Sequence, residues 1–174
     1  MSEESLKISI GGIKFSEKLT QISFVKDTEN DSSIRDLLHL IAQKRINITF
    51  LCHSSTAYPN HRSSFCVSSV NFPGVQRLLQ FSSFNNLSIE IIQSVGTITL
   101  FPHKNSFQLL GQILQVFGKF KFPLYSMSSS ISAIALNTDF SDLDMVAQKL
   151  QEVTCLPENH APFRQEFCLR ELHR

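Results

Sequence analysis

Tryptophan is missing from this chain, and charge of either sign is sparse: 16 Lys and Arg against 15 Asp and Glu leave a net +1 over 174 residues. The basic residues never gather into a stripe, so the electrostatic footprint of a nucleic-acid binder is absent. No apolar run approaches the ~20 residues of a membrane-spanning helix, which excludes a helical bilayer crossing. The opening MSEESLKISI is acidic where a signal peptide is basic and then apolar, so no secretory leader is expected. Without such a leader, Cys52, Cys66, Cys155 and Cys168 read as reduced, cytoplasmic thiols rather than a disulfide framework. Glycine is scarce too. Gly11–Gly12 stands alone and reads as a turn, and no phosphate-cradling glycine loop is present.

What the chain does have is apolar material. Hydrophobic residues make up 42% of it and phenylalanine occurs 15 times, enough for packed sheets and helices. The length fits one sizeable domain or two small ones of about 80 residues. LTQISFV (19–25) alternates as a strand, with Leu19, Ile22 and Phe24 as core positions. KDTENDSS follows as a polar loop, and IRDLLHLIAQK then repeats Ile34, Leu37, Leu38 and Ile41 at helical spacing, capped by Asp31, Ser32 or Ser33. RINITFLCHSS (45–55) and SSFCVSSV (63–70) read as strands joined by a hairpin, NFPGVQRLLQ (71–80) as a short helix with Asn71 as cap, and LSIEIIQ (87–93) as a strand. The order is β-α-β-β-α-β.

The same order recurs. VGTITLF (95–101) reads as a strand and PHKNS as a loop. FQLLGQILQVFGK (107–119) places Phe107, Leu110, Ile113, Leu114 and Phe117 on one helical face. FKFPLYSM (120–127) and ISAIALN (131–137) read as strands around a turn at Ser128–Ser130, and TDFSDLDMVAQKLQEV (138–153) as a helix led by Asp139 or Ser141. Asp142 and Asp144 fall in its first turn, where negative charge suits the helix dipole. The fold expected is α+β: two ferredoxin-like units, antiparallel sheets with helices packed on one face. Residues 1–18 are read as an N-terminal extension, 19–94 and 95–153 as the units, and 154–174 as a tail whose apolar stretch around Phe163 to Leu172 could add a strand.

These stretches, in this order, resemble the tandem ACT regulatory region of aspartate kinases. The likeness is strongest in IEIIQSVGTITLFPHKNSFQLLGQILQVFGKFKFPLYSMSSSISAIALNTDFSDLDMVAQKL. There the family has a strand pair, a short loop, a helix, a strand, a serine-containing turn, an apolar strand and a final helix. RDLLHLIAQKRINITFLCHSS resembles the helix and strand of the family's first ACT unit, with INITFL in place of an INVDLI-like segment. The resemblance covers residues 19–153. The kinase domain that normally precedes the pair is expected to be absent, since 18 leading residues cannot contain it. The resemblance therefore implies a stand-alone regulatory ACT module rather than an enzyme. It would bind an amino acid without any cofactor, associate as a homodimer, and signal to a partner such as an enzyme of amino-acid biosynthesis. The alternative is a structural or interaction module that binds no ligand. A small enzyme on the same scaffold has no supporting motif.

Amino-acid-binding ACT units carry glycine between first strand and helix, where bare backbone lets a carboxylate reach the helix amides. Here Asp31-Ser32 and Asn105-Ser106-Phe107 stand there instead. The segment Asp27 to Ser33 has two readings. One is a helix-capping turn. The other, which the resemblance implies, places Asp27, Asn30, Asp31, Ser32 and Ser33 around the ligand, with His103, Asn105 and Ser106 in the second unit. Ser128, Ser129 and Ser130 read first as a hairpin turn and second, as the resemblance implies, as neighbours of a ligand-holding interface between ACT units. Cys52, His53, His61 and Cys66 flank one hairpin in a pattern that suggests zinc. But Cys52 and His53 are adjacent and point to opposite faces of a strand, so no metal site is expected. His39, inside the first helix, reads as a surface or partly packed residue.

Overall fold

The structure, a computed structural model, describes residues 7–26, 32–53, 61–81, 84, 87–102 and 107–160. In chain order the elements are β1 (Ile8–Ser9), β2 (Gly12–Phe15), β3 (Leu19–Lys26), α1 (Ser32–Gln43), β4 (Ile48–His53), β5 (His61–Ser68), α2 (Phe72–Leu79), β6 (Ile89–Phe101), α3 (Phe107–Phe120), β7 (Ser126–Ser129), β8 (Ile134–Asp139), α4 (Leu143–Val153) and β9 (Thr154–Cys155). A turn of 3-10 helix, Phe140–Asp142, leads into α4. The architecture is α+β with antiparallel ladders, apart from a two-residue parallel pair between β1 and β9. No helix among the described residues is long and apolar enough to cross a membrane.

The chain divides into two compact units, one of Lys18–Val95 and one made of the residues up to Glu17 together with those from Gly96 on. In the first unit the strand order is β4-β5-β3-β6. Alternate side chains of β3 and β5 point to one side, so Ile22, Phe24, Phe65 and Val67 meet Leu37 and Ile41 of α1 and Phe72, Val75 and Leu78 of α2. The helical spacing read in the sequence for Ile34, Leu37, Leu38 and Ile41 matches: Leu37 and Ile41 are buried, and Ile34 and Leu38 pack at the rim.

In the second unit β6 is flanked by β2 and β8, with β7 beyond β8. Its core joins Ile13 and Phe15 of β2, Ile98 and Leu100 of β6, and Ile134 and Leu136 of β8 to Leu109, Ile113, Val116 and Phe117 of α3 and to Leu143, Val146, Ala147 and Leu150 of α4. The N-terminal segment is therefore not an extension. Gly12–Phe15 pairs with Ile98–Phe101 as a working strand, and Ile13 is fully buried. The Gly11–Gly12 pair serves this approach rather than a simple turn. A Cβ on Gly11 would lie 2.3 Å from Pro102 Cδ, and one on Gly12 would lie 3.1 Å from the Phe101 ring.

Other expectations shift for identifiable reasons. The strands read at 87–93 and 95–101 are one strand, β6, which passes an irregularity where Leu19 opposes Val95 but Gln21 opposes Ile92. Ser94 takes φ 61° there, the left-handed geometry that one class of bulge uses. Helix α3 is turned relative to the expected face: Leu109, Ile113, Val116 and Phe117 are buried, while Phe107 is 88% exposed. FQLLGQILQVFGKF is apolar on so much of its circumference that two faces fit the period. The strand expected over 120–127 begins only at Ser126, because α3 runs through Phe120 and Pro123 has no amide to donate. The serine turn also moves. Ser128 and Ser129 pair with Ala135 and Ile134 inside the β7–β8 ladder, and the turn runs over 130–133. Asp139 and Ser141 do not lead α4, which starts at Leu143 after the 3-10 turn, and Asn71 makes no side-chain cap on α2. From the tail, Thr154–Cys155 pairs with Ile8–Ser9, and the stretch around Phe163 to Leu172 lies outside the described residues.

Both units close their first helix alike. Ile46 N–H donates to the Ile41 carbonyl at 3.2 Å, and Phe122 N–H to the Phe117 carbonyl at 3.1 Å, with Arg45 (φ 55°) and Lys121 (φ 57°) left-handed between. This is the six-to-one bond of a Schellman end, where glycine is the unstrained residue. Lys121→Gly is expected to raise stability by about 0.5–1 kcal/mol, read from urea unfolding, because the Cβ strain outweighs glycine's entropic cost. Ile13→Ala, measured the same way, is expected to lower stability by about 2–5 kcal/mol. A dispensable extension would show almost no change.

Candidate functional site

Of the expected ligand residues, Asp27, Asn30, Asp31, His103, Asn105 and Ser106 lie outside the described residues. Ser32 and Ser33 form the first turn of α1 by their backbone. The three serines of the β7–β8 hairpin are described. Ser128 is half-buried and Ser129 exposed, both within the strand. Ser130 closes the turn. Its backbone N–H donates to the Ala133 carbonyl at 2.8 Å, and its Oγ accepts the Ala133 N–H at 3.1 Å. Its hydroxyl is spent locally on the hairpin, as hydroxyls in turns usually are.

The zinc-like constellation does not assemble among the described residues, where no group of three His, Cys, Asp or Glu converges. Cys52 opposes Ser64, and His53 opposes Ser63, whose Oγ lies 2.6 Å from His53 Nδ1. Cys66 is buried, and its thiol points to Gln21 Oε1 at 3.9 Å. His39 is exposed on α1, with Nε2 2.9 Å from Gln43 Nε2.

What the structure does assemble is a polar seam in each sheet, on the face turned away from the helices. In the second unit Thr97 Oγ1 donates to Asn137 Oδ1 at 2.6 Å, and Asn137 Nδ2 donates to Ser126 Oγ at 2.7 Å. At one end of this line Ser16 Oγ accepts the Thr97 N–H at 2.8 Å. The seam thus crosses from the segment after β2 to β7, and Asn137 is fully buried. In the first unit Gln21 Nε2 donates to Ser23 Oγ at 3.2 Å, and Ser23 and Ser64 share a 2.9 Å hydroxyl contact. Each buried polar group here is satisfied by another, the condition under which such seams add specificity rather than cost.

Next to the second seam, Tyr125 donates its phenol proton to Asp139 Oδ1 at 2.8 Å. The first unit also holds a cleft of about 610 Å³ beside α2, lined in part by Lys44, Asn71, Gly74 and Arg77. Sequence reasoning missed Thr97, Asn137, Tyr125 and this cleft. The seam had a visible signal: polar residues on the alternate face of apolar strands, in TIT (97–99) and LNTD (136–139). The cleft had none, because it forms only where α2 and its flanking turns meet Lys44 and Ile46 after α1.

No protein-family model matches the chain, and no curated protein matches it by sequence. Solved structures do match by fold. The regulatory subunit of aspartate kinase from Thermus flavus aligns with TM-score 0.72 at 8% identity, covering 83% of this chain and 97% of that one. The ligand-free form of the Thermus thermophilus regulatory subunit gives 0.73 at 7%, covering 84% and 99%. E. coli aspartokinase III, solved in complex with lysine and aspartate, gives 0.61 at 10%, covering 87% of this chain but 34% of the enzyme. At these identities the likeness is one of fold.

Desolvation, then the hydrogen bond to Asp139 and the charges of Asp139 and Asp142, raise the Tyr125 phenol above its ordinary 10.0. The folded state holds the neutral phenol more firmly than the unfolded chain does. This contribution is therefore complete below pH 10 and is lost as pH rises through the folded value. Phenolate absorbance, taken as the difference from Tyr125→Phe, should show a midpoint above 10.0, and Asp139→Asn should bring it back toward that value. An unmoved midpoint in Asp139→Asn would rule out the pair as a cause.

Proposed function

We propose that the chain is a regulatory module of two ferredoxin-like, ACT-like units that binds an amino acid and passes the event to a second copy or a partner protein. The observation that carries this reading is the coverage of the fold match: 83–84% of this chain against 97–99% of two aspartate-kinase regulatory subunits. Within it, β6 and β2 take the fourth-strand place in the first and second units respectively, so that each unit draws on four strands, β6 being shared, and two helices. The role is regulatory rather than catalytic, with no cofactor, and its setting is the cytoplasm.

The ligand would lie where Asp27, Asn30, Asp31, Ser32 and Ser33 lead into α1 and His103, Asn105 and Ser106 lead into α3. Free amides at a helix start receive a carboxylate, and nearby carboxylates receive the ammonium. An amino acid is the ligand class favoured because E. coli aspartokinase III, of like fold, was solved with lysine and aspartate. A ligand that favours one pairing of two chains shifts the population toward it, and a partner such as an amino-acid biosynthesis enzyme would read that shift.

A second reading, a structural or protein-interaction module without a ligand, is favoured by the lack of any glycine in residues 27–33 and 102–107. The two separate in a thermal-shift screen against each protein amino acid, followed by calorimetry. Binding to the folded state alone stabilises it by about 2.7 kcal/mol at a hundredfold excess over Kd, a clear rise in melting temperature. No heat with any amino acid on folded protein would overturn the ligand reading. A stable dimer with unmoved melting temperatures would support the second.

A further inference from the structure

The cleft in the first unit has the chemistry of a binding site in its own right. It lies between the turn after α1, which supplies Lys44, and α2 with the turns on either side of it. Its volume, about 610 Å³, is in the range of small-molecule sites, about 300–1,000 Å³. Among the described residues, those charged and lining it are Lys44 and Arg77, both cations, with no carboxylate beside them in the lining. Neither cation has an ion-pair partner among the described residues. Apolar surface flanks them: Val70 is 84% exposed and Phe81 52% exposed. Asn71 adds an amide side chain that makes no bond to cap α2, and Gly74 leaves bare backbone between them.

We propose that this cleft binds a small organic anion, a carboxylate or phosphate ester carrying an aromatic or branched apolar group. The Arg77 guanidinium offers a planar fork for two anion oxygens, and the Lys44 ammonium offers a point charge beside it. Phe81 and Val70 cover the apolar part, and Asn71 supplies a neutral donor or acceptor. A cation just past the C-terminus of α1 also suits that helix's dipole, which accounts for Lys44 alone but not for its convergence with Arg77. None of the residues lining the cleft is among those proposed to hold the amino acid, so it does not depend on the amino-acid reading.

The test is an amide-resolved NMR titration of the full chain with benzoate, phenyl phosphate and inorganic phosphate. Both aromatic anions, or one of them, should shift the Asn71, Gly74 and Arg77 amides saturably, more tightly than inorganic phosphate and less tightly at high salt. Arg77→Gln, an exposed change, should weaken that binding by about tenfold or more, with the rest of the spectrum intact. Lys44→Gln gives a second, independent loss. Phe81→Ala should reduce the aromatic anions to the affinity of inorganic phosphate. Absence of saturable shifts at these amides would overturn the proposal. So would unchanged affinity in both charge variants, or inorganic phosphate binding as tightly as the tighter of the two aromatic anions.

Discussion

The pairing of Gly12–Phe15 with Ile98–Phe101 is the constraint on which the second unit rests. Without it, one flank of β6 would be an open row of amides and carbonyls, and Ile13 and Phe15 would lose their place in the core. Burial of an apolar side chain of this size is worth about 1.5–3 kcal/mol, so two of them are a large fraction of a small domain's net stability. The approach is close enough to require glycine at the point of entry, against Pro102 and under the Phe101 ring. On the outer edge, Lys14 Nζ lies over that ring, 5.4 Å from its centroid, where the negative face of the aromatic attracts the cation.

Elements of the two units answer one another although their sequences differ. Each ends its first helix with the same six-to-one bond and a basic residue in the left-handed position. Each builds its core from alternate strand positions and gives the intervening ones to hydroxyls and amides that bond across the sheet. Apolar contacts set the strength of such a sheet, whereas the polar seam sets its register: a slip by one residue would leave Asn137 or Ser23 buried without partners.

Much of the fold could be read from local pattern, and the failures have common causes. Both helices α1 and α3 were legible in extent, but only α1 in its buried face: its apolar residues repeat on one face, whereas FQLLGQILQVF offers two. The hairpin at Ser128–Ser130 was placed two residues early because serine suits a turn, while cross-strand partners for Ser128 and Ser129 cannot be seen in one strand alone. Residues 1–18 were misread for a deeper reason: GIKF is too short to announce a strand, and its partner lies more than 80 positions away. The ligand residues proposed in the loops before α1 and α3 rest on a family resemblance alone. The seam and the cleft depend on tertiary placement, which no period in the sequence encodes.

That distant pairing bears on how the chain acquires its structure. β2 is made before the part of β6 it pairs with and must wait for it, since the whole of Lys18–Val95 is made in between. The intervening unit has its own core, and its two ends are cross-strand neighbours, Leu19 beside Val95. Once it folds, a long and entropically costly loop becomes a short staple that delivers Gly12 and Phe101 to one another. Synthesis order and topology thus agree: the nested part is complete before β6 can reach β2, so it is free to fold as its own unit before the surrounding part closes.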